Sequence, residues 1–122
     1  MAYILVVDDE FLLAMMLTDI LEDEGYEVDT VSNGEAALAA VRKKRPDVVV
    51  TDFMMPLMTG LEFAEAVRAD AAFADLPIIL VSGAQGYIAR ERPELFQAVF
   101  DKPYSNAAIL DAVATHVKAV PE

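Results

Sequence analysis

The sequence predicts an α/β fold: a parallel sheet of five strands with helices packed on both faces. Two patterns carry that prediction. Short β-branched apolar runs of strand length recur along the chain. The stretches between them repeat their apolar residues with the period of a helix. Regular alternation of the two implies a parallel sheet covered on both sides.

The elements follow in order. Ile4-Leu5-Val6-Val7 is the first strand. The helix after it places Leu13, Met16, Leu17, Ile20 and Leu21 at i, i+3, i+4, i+7 and i+8, its expected core face. Gly25 is positioned to end that helix in the left-handed conformation. A more polar second strand spans Val28 to Val31, and Ser32-Asn33-Gly34-Glu35 fits a capping box for a helix over Ala36, Ala37, Leu38, Ala40 and Val41. Pro46 stands ahead of the third strand, Val48-Val49-Val50, because a helix must have stopped before it. Thr59-Gly60-Leu61-Glu62 is a second capping box, opening a helix marked by Leu61, Ala64 and Val67. Pro77 introduces the fourth strand, Ile78-Ile79-Leu80-Val81. Pro93 interrupts the Tyr87–Gln97 stretch, so the fourth helix is expected to be short or irregular. Ala98-Val99-Phe100 is a weaker fifth strand, and Ile109, Leu110, Val113, Val117 and Val120 mark the last helix. His116 falls late in that helix and is expected at the surface.

Strands buried on both faces read as continuous apolar runs. The first, third and fourth do so and are expected at the centre; the second and fifth are expected at the edges. That arrangement is the order 2-1-3-4-5 of a flavodoxin-like (βα)5 three-layer sandwich. The 122 residues, 56% of them hydrophobic, are enough for one core, so a single domain over residues 1–122 is expected.

Composition excludes several functions. No apolar run approaches the ~18–20 residues of a membrane span, and the N-terminus lacks the basic region of a signal peptide. The absence of cysteine excludes disulfides and thiolate chemistry and fits the cytoplasm. Twenty-one acidic against nine basic side chains give a net charge of −12, which repels nucleic-acid backbone, so no direct nucleic-acid binding is expected.

Ligands of open α/β sheets bind beyond the carboxyl ends of the strands, where the strand order reverses. Here the first strand ends in Asp8-Asp9-Glu10, the third in Asp52, the fourth in Ser82 and the fifth in Asp101-Lys102-Pro103. Clustered carboxylates repel one another unless a cation joins them. Hard oxygen ligands without histidine or cysteine suit Mg²⁺ and not zinc. A carboxylate can also act as a nucleophile toward phosphorus, with Mg²⁺ and a lysine offsetting the repulsion between two anions. Asp8 and Asp9 have a simpler reading as N-caps of the first helix, and capping and metal binding do not exclude each other.

Four motifs at these strand ends resemble the response-regulator receiver family of two-component signalling. They are Val7-Asp8-Asp9-Glu10, Thr51-Asp52-Phe53-Met54-Met55-Pro56-Leu57-Met58-Thr59-Gly60, Leu80-Val81-Ser82-Gly83 and Asp101-Lys102-Pro103-Tyr104. The resemblance covers essentially the whole chain. It implies that Asp52 is the phosphoacceptor, and that a histidine kinase or histidine-containing phosphotransfer protein is the donor. It implies Mg²⁺ bound by Asp9 and Asp52 and by the backbone carbonyl of Met54, with Asp8 holding a water of the metal's shell or lying beside it. Ser82, Gly83 and Lys102 would contact the phosphoryl group, and Pro103 would follow a cis peptide bond.

Two features depart from the family pattern. Val99 stands where an aromatic switch residue is common, and Phe100 is out of register to replace it. The interval from Ser82 to Lys102 is short, as in a subgroup with a reduced fourth helix. The segment 83–97 is therefore expected to be mobile and to carry the activation signal. Phe11, Leu12 and Met15 lie off the core face of the first helix. They either tuck under loops or form a docking patch; in the family this helix borders the kinase-docking side, which favours the patch. Nothing follows the last helix but Val120-Pro121-Glu122, so output is expected through a protein partner or a region outside this chain.

Two other functions compete. A pseudo-receiver would bind partners without being phosphorylated, but it requires the loss of a key residue and none is missing. An aspartyl phosphatase places a second acid two residues after its nucleophile. Met54 occupies that position and cannot move protons, so self-dephosphorylation is the only hydrolysis expected.

Overall fold

A computed structural model describes residues 2–118. Five strands alternate with helices: β1 (Tyr3–Val7), α1 (Phe11–Asp23), β2 (Glu27–Val31), α2 (Gly34–Lys43), β3 (Val48–Asp52), α3 (Gly60–Ala69), β4 (Ile78–Ser82), α4 (Gly86–Arg90), β5 (Ala98–Asp101) and α5 (Asn106–Lys118). A single 3-10 turn, Ala71–Phe73, follows α3. The strands are parallel in the order β2-β1-β3-β4-β5. Every residue of β1, β3 and β4 is buried, whereas none of β2 or β5 is, so the apolar continuity of a run did identify the central strands.

Alternate strand residues feed two cores. Leu5, Val7, Val49, Ile78 and Leu80 meet Ala37 and Val41 of α2, Phe63, Ala64 and Val67 of α3, and Ala89 of α4. Ile4, Val6, Val48, Val50, Ile79 and Val81 meet Ala14, Leu17 and Leu21 of α1 and Ile109 and Val113 of α5. Side chains one residue apart on a strand point to opposite faces, and this puts α2–α4 on one side of the sheet and α1 with α5 on the other.

Local signals mostly act where they were read. Thr59 and Glu62 close a reciprocal capping box at α3, and Gly25 follows the C-cap of α1 with φ +93°. Three details correct the sequence reading. The cap of α2 is Asn33 and not Ser32: the Asn33 side chain accepts from the Ala36 N–H at 2.8 Å. The core face of α1 is Ala14, Leu17 and Leu21, and Met16 is 61% exposed. Ala14 packs in the core on that side of the sheet. His116 is half-buried and not at the open surface. Val120 lies outside the described residues.

α4 is five residues long, ending three residues before Pro93. The chain beyond it is tied down instead by Arg68. That guanidinium donates to the carbonyls of Phe73, Leu76 and Leu95 and to Gln97 Oε1. Gln97 Oε1 also accepts from the Ile78 N–H. Leu95 and Phe96 are thereby held in the core where a longer helix would otherwise have covered the sheet.

Candidate functional site

The strand ends converge on one cleft because a parallel sheet delivers all its carboxyl ends to the same edge. Asp52 is the last residue of β3 and Ser82 the last of β4, while Asp8 follows β1 and Lys102 follows β5. Asp8 is fixed by its own N–H, which donates to the Val31 carbonyl at 3.1 Å. Its Oδ1 accepts from the Glu10 N–H at 2.9 Å. Asp52 is 6% exposed; its Oδ1 accepts from the Phe53 N–H at 2.8 Å and its Oδ2 meets Lys102 Nζ at 3.2 Å. Lys102 Nζ also lies 3.6 Å from Glu10 Oε1 and 3.9 Å from Asp8 Oδ2.

One ammonium therefore serves three carboxylates, and the electrostatics show the shortfall. Burial pushes the Asp8 carboxyl up to about 6, against the pull of Lys102. Burial also raises Asp52, and Lys102 only partly offsets it. For Lys102 burial acts downward, but Asp52, Asp8 and Glu10 together outweigh it and the pKa rises. Burial thus works against the charged forms of Asp8 and Asp52, and Lys102 alone does not offset it. Carboxylate oxygens of Asp8, Glu10 and Asp52 all lie within 4.8 Å of one another, the spacing of a hard-cation site.

Glu10 thus joins the expected Asp8 and Asp52 at one point. Asp9 is exposed at the rim of the same cleft, a space of about 300 Å³ also lined by Glu10, Asp52, Met54, Gly83 and Lys102. Neither Asp8 nor Asp9 caps α1: its N-cap is Glu10, without a side-chain cap bond. Ser82 is buried, and its hydroxyl accepts from the N–H of Gln85, another residue of the cleft lining, at 3.0 Å. The Lys102–Pro103 peptide is cis.

Beside the cleft the start of α1 exposes apolar side chains. Phe11 and Leu12 are 73% and 72% exposed and Met15 45%, so they do not tuck under loops. A groove between α1 and α5, lined by Leu13, Met16, Leu17, Pro103 and Tyr104, shares Lys102 with the acidic cleft. Exposure of Met16 was not anticipated; its position in the apolar period of α1 hid it. Val99 packs partly buried against the core and pairs with Leu80 across the β4–β5 ladder.

Fold and cleft together define an α/β domain with an acidic, lysine-containing site at its topological switch point. The chain belongs to the response regulator receiver domain family, whose profile matches residues 4–114. It is 40% identical over 98 residues to the DNA-binding response regulator MtrA of Mycobacterium tuberculosis strain H37Rv, a match covering 71% of this chain and 43% of that one. A response regulator receiver protein of Anaeromyxobacter sp. strain Fw109-5 is 39% identical over 107 residues, covering 88% of this chain and 45% of the other. The chain thus spans less than half the length of these relatives. Among solved structures, the chemotaxis response regulator CheY4 of Vibrio cholerae superposes with a TM-score of 0.86 at 32% identity, covering 95% of this chain and 98% of that one. The receiver domain of a signal transduction histidine kinase from Syntrophus aciditrophicus gives 0.92 at 25% identity, covering 100% and 94%. The chain is a receiver domain of two-component signalling, a phosphorylation-based switch, and the pseudo-receiver alternative is not supported. Among the described residues no helix is long and apolar enough to cross a membrane.

Proposed function

We propose that Asp52 is the phosphoacceptor and that its donor is a phosphohistidine on a histidine kinase or a histidine-containing phosphotransfer protein. The observation that carries this reading is the three-to-one ratio of carboxylates to ammonium around Asp52, with Lys102 at 3.2 Å. An Asp52 oxygen attacks phosphorus, the P–N bond to the donor histidine breaks, and the phosphoryl group is left on the carboxylate as an acyl phosphate. Lys102 leaves its ion pair with Asp52 to meet the incoming phosphoryl oxygens. Gly83 and the Ser82 hydroxyl offer further hydrogen bonds from the β4 side.

The trio fits Mg²⁺. Asp8 and Asp52 would hold it with Glu10, and Asp9 and the Met54 carbonyl are further candidates on the same cleft. When bound, the ion offsets the repulsion between the nucleophile and the anionic donor. Met54, two residues past Asp52, cannot act as an acid–base catalyst, so loss of the phosphoryl group rests on water.

Phe11, Leu12 and Met15 form the kinase-docking patch, and the segment 83–97 carries the signal to a protein target. The acid excess argues against direct nucleic-acid contact by this domain, and we place it in the cytoplasm. Phosphotransfer from the cognate kinase tests the patch: Phe11→Ala with Met15→Ala slows transfer while leaving phosphorylation by a small-molecule donor intact. Transfer at the unchanged rate would remove the patch from the account.

A further inference from the structure

We infer that the Arg90–Asp101 ion pair is a latch holding α4 against β5, and that its opening is the conformational step of this domain. The inference rests on the reading of Asp52 as phosphoacceptor. A helix of five residues has no stability of its own in water, so α4 exists through its tethers. Its own Ala89 is buried against the sheet, and Ser82 Oγ accepts from the Gln85 N–H at its start. At its end the Arg90 guanidinium grips Asp101 with both nitrogens, at 3.2 Å and 3.1 Å, and its Nη2 reaches the Val99 carbonyl at 3.4 Å. That two-pronged fork is the geometry an arginine–carboxylate pair prefers. Val99 has no aromatic side chain to rearrange, and it is the backbone of Val99 that Arg90 holds.

Both polar tethers connect to the phosphorylation site. Ser82 and Asp101 are partners across the β4–β5 ladder, and the Lys102 N–H donates to the Ser82 carbonyl at 2.6 Å. Asp101 is thus bonded in sequence to the residue that pairs with Asp52, and Ser82 is the residue whose hydroxyl would meet the phosphoryl group. A phosphoryl group brings negative charge and three acceptor oxygens to Asp52. A Ser82 hydroxyl turned toward them gives up the Gln85 N–H, and α4 loses its first tether. Arg90–Asp101 then decides whether α4 stays. Both side chains are about half exposed, 49% and 56%, so the pair is weak enough to open reversibly. Beyond α4, Arg92 remains bound to Glu65 of α3 at 3.2 Å and to Glu94 at 2.7 Å, which leaves a fixed end for the segment to swing from.

Gly86 supplies an independent handle on the latch. A Cβ there would collide with Asp101 Oδ1 and lie 2.9 Å from Arg90 Nη1, so the ends of both side chains must shift to admit one. On helix propensity alone, Gly86→Ala should strengthen α4. If the latch holds α4, the same change should loosen it.

The test is amide hydrogen exchange over residues 86–97, with and without Mg²⁺ and a small-molecule phosphodonor. In the unphosphorylated protein, Arg90→Gln and Gly86→Ala should each exchange about fivefold faster than wild type, the worth of one exposed ion pair. Phosphorylation should accelerate wild type by a similar factor and add little to either variant. The charge swap Arg90→Asp with Asp101→Arg should restore slow exchange and the response. Unchanged exchange in unphosphorylated Arg90→Gln would overturn the latch whether or not Asp52 is phosphorylated. The mass of the treated wild-type protein reports separately on the phosphoacceptor reading.

Discussion

At the scale of single residues, the site is an incomplete charge balance. Asp8 titrates near 6 in the folded chain because burial disfavours its charged form. A folded-state pKa above the unfolded value near 4 means that the native state binds more protons between those values. Its contribution is complete below about pH 4 and lost as pH rises through about 6. In a chelating buffer, Asp8→Asn should therefore stabilise the protein at pH 7 by about 1 kcal/mol. Urea unfolding at pH 4.5 and pH 7 checks both the sign and the window; equal stability of variant and wild type at pH 7 would contradict it. Asp52→Asn should likewise stabilise the metal-free protein, since Lys102 is shared by fewer acids. The motif Asp8-Asp9-Glu10 identified the cluster but not which acids turn inward. That choice depends on Asp8 donating to Val31 and accepting from Glu10, a backbone path that residue identity does not encode. Leu57 is a second residue-scale feature, at φ +72° with its side chain 74% exposed. A left-handed leucine costs roughly 1–2 kcal/mol, and a glycine loses part of that in chain entropy. Leu57→Gly should stabilise by up to about 1 kcal/mol in the same assay, and a loss of stability would show that the leucine makes a contact that offsets its strain.

At the scale of elements, the shortened fourth helix has been replaced by a side chain. Arg68 spans from α3 to the 3-10 turn and to the chain before β5, donating to the carbonyls of Phe73, Leu76 and Leu95. Arg68→Ala removes these bonds, only the Phe73 carbonyl keeping a backbone donor in the Leu76 N–H, and should cost about 2 kcal/mol, with the largest rise in hydrogen exchange at residues 93–97. Exchange that rises evenly over the sheet would contradict that role. Pro93 made the shortness of α4 legible, but nothing near it in sequence points to Arg68, which is 25 residues earlier. Helix faces were legible where large apolar residues lay at the contact, as in Leu17 and Leu21. They were misread where a small residue did, because Ala14 carries little weight in an apolar pattern and Met16 carries much. The cap of α2 was misplaced by one residue for a similar reason: serine and asparagine are both good caps, and only the backbone angle of Asn33 decides between them.

At the scale of the whole molecule, strand order was legible because burial on two faces leaves a plain mark on composition, and the order fixes where the rim lies. The switch point between β1 and β3 then puts Asp8 beside Asp52, so much of the site was implied once the topology was. What the sequence could not contain is the side-chain state of the rim: Ser82 turned to Gln85, Arg90 closed on Asp101. With a net charge of −12 and three acids at one point, the fold should gain from a divalent cation. Mg²⁺ at about a hundred times its dissociation constant adds about 2.7 kcal/mol to stability, seen as a rise in melting temperature that Asp52→Asn largely abolishes. An equal rise in the variant would place the ion elsewhere. The most direct measurement is chemical trapping of the phosphorylated residue. The protein is treated with Mg²⁺ and a small-molecule phosphodonor, then with borohydride, which reduces an acyl phosphate to an alcohol, and the modified position is read by peptide mass spectrometry. The prediction is reduction at Asp52 alone, dependent on Mg²⁺ and absent in Asp52→Asn. Reduction at Asp8, Asp9 or Glu10, or at no residue while the donor is consumed, would contradict it.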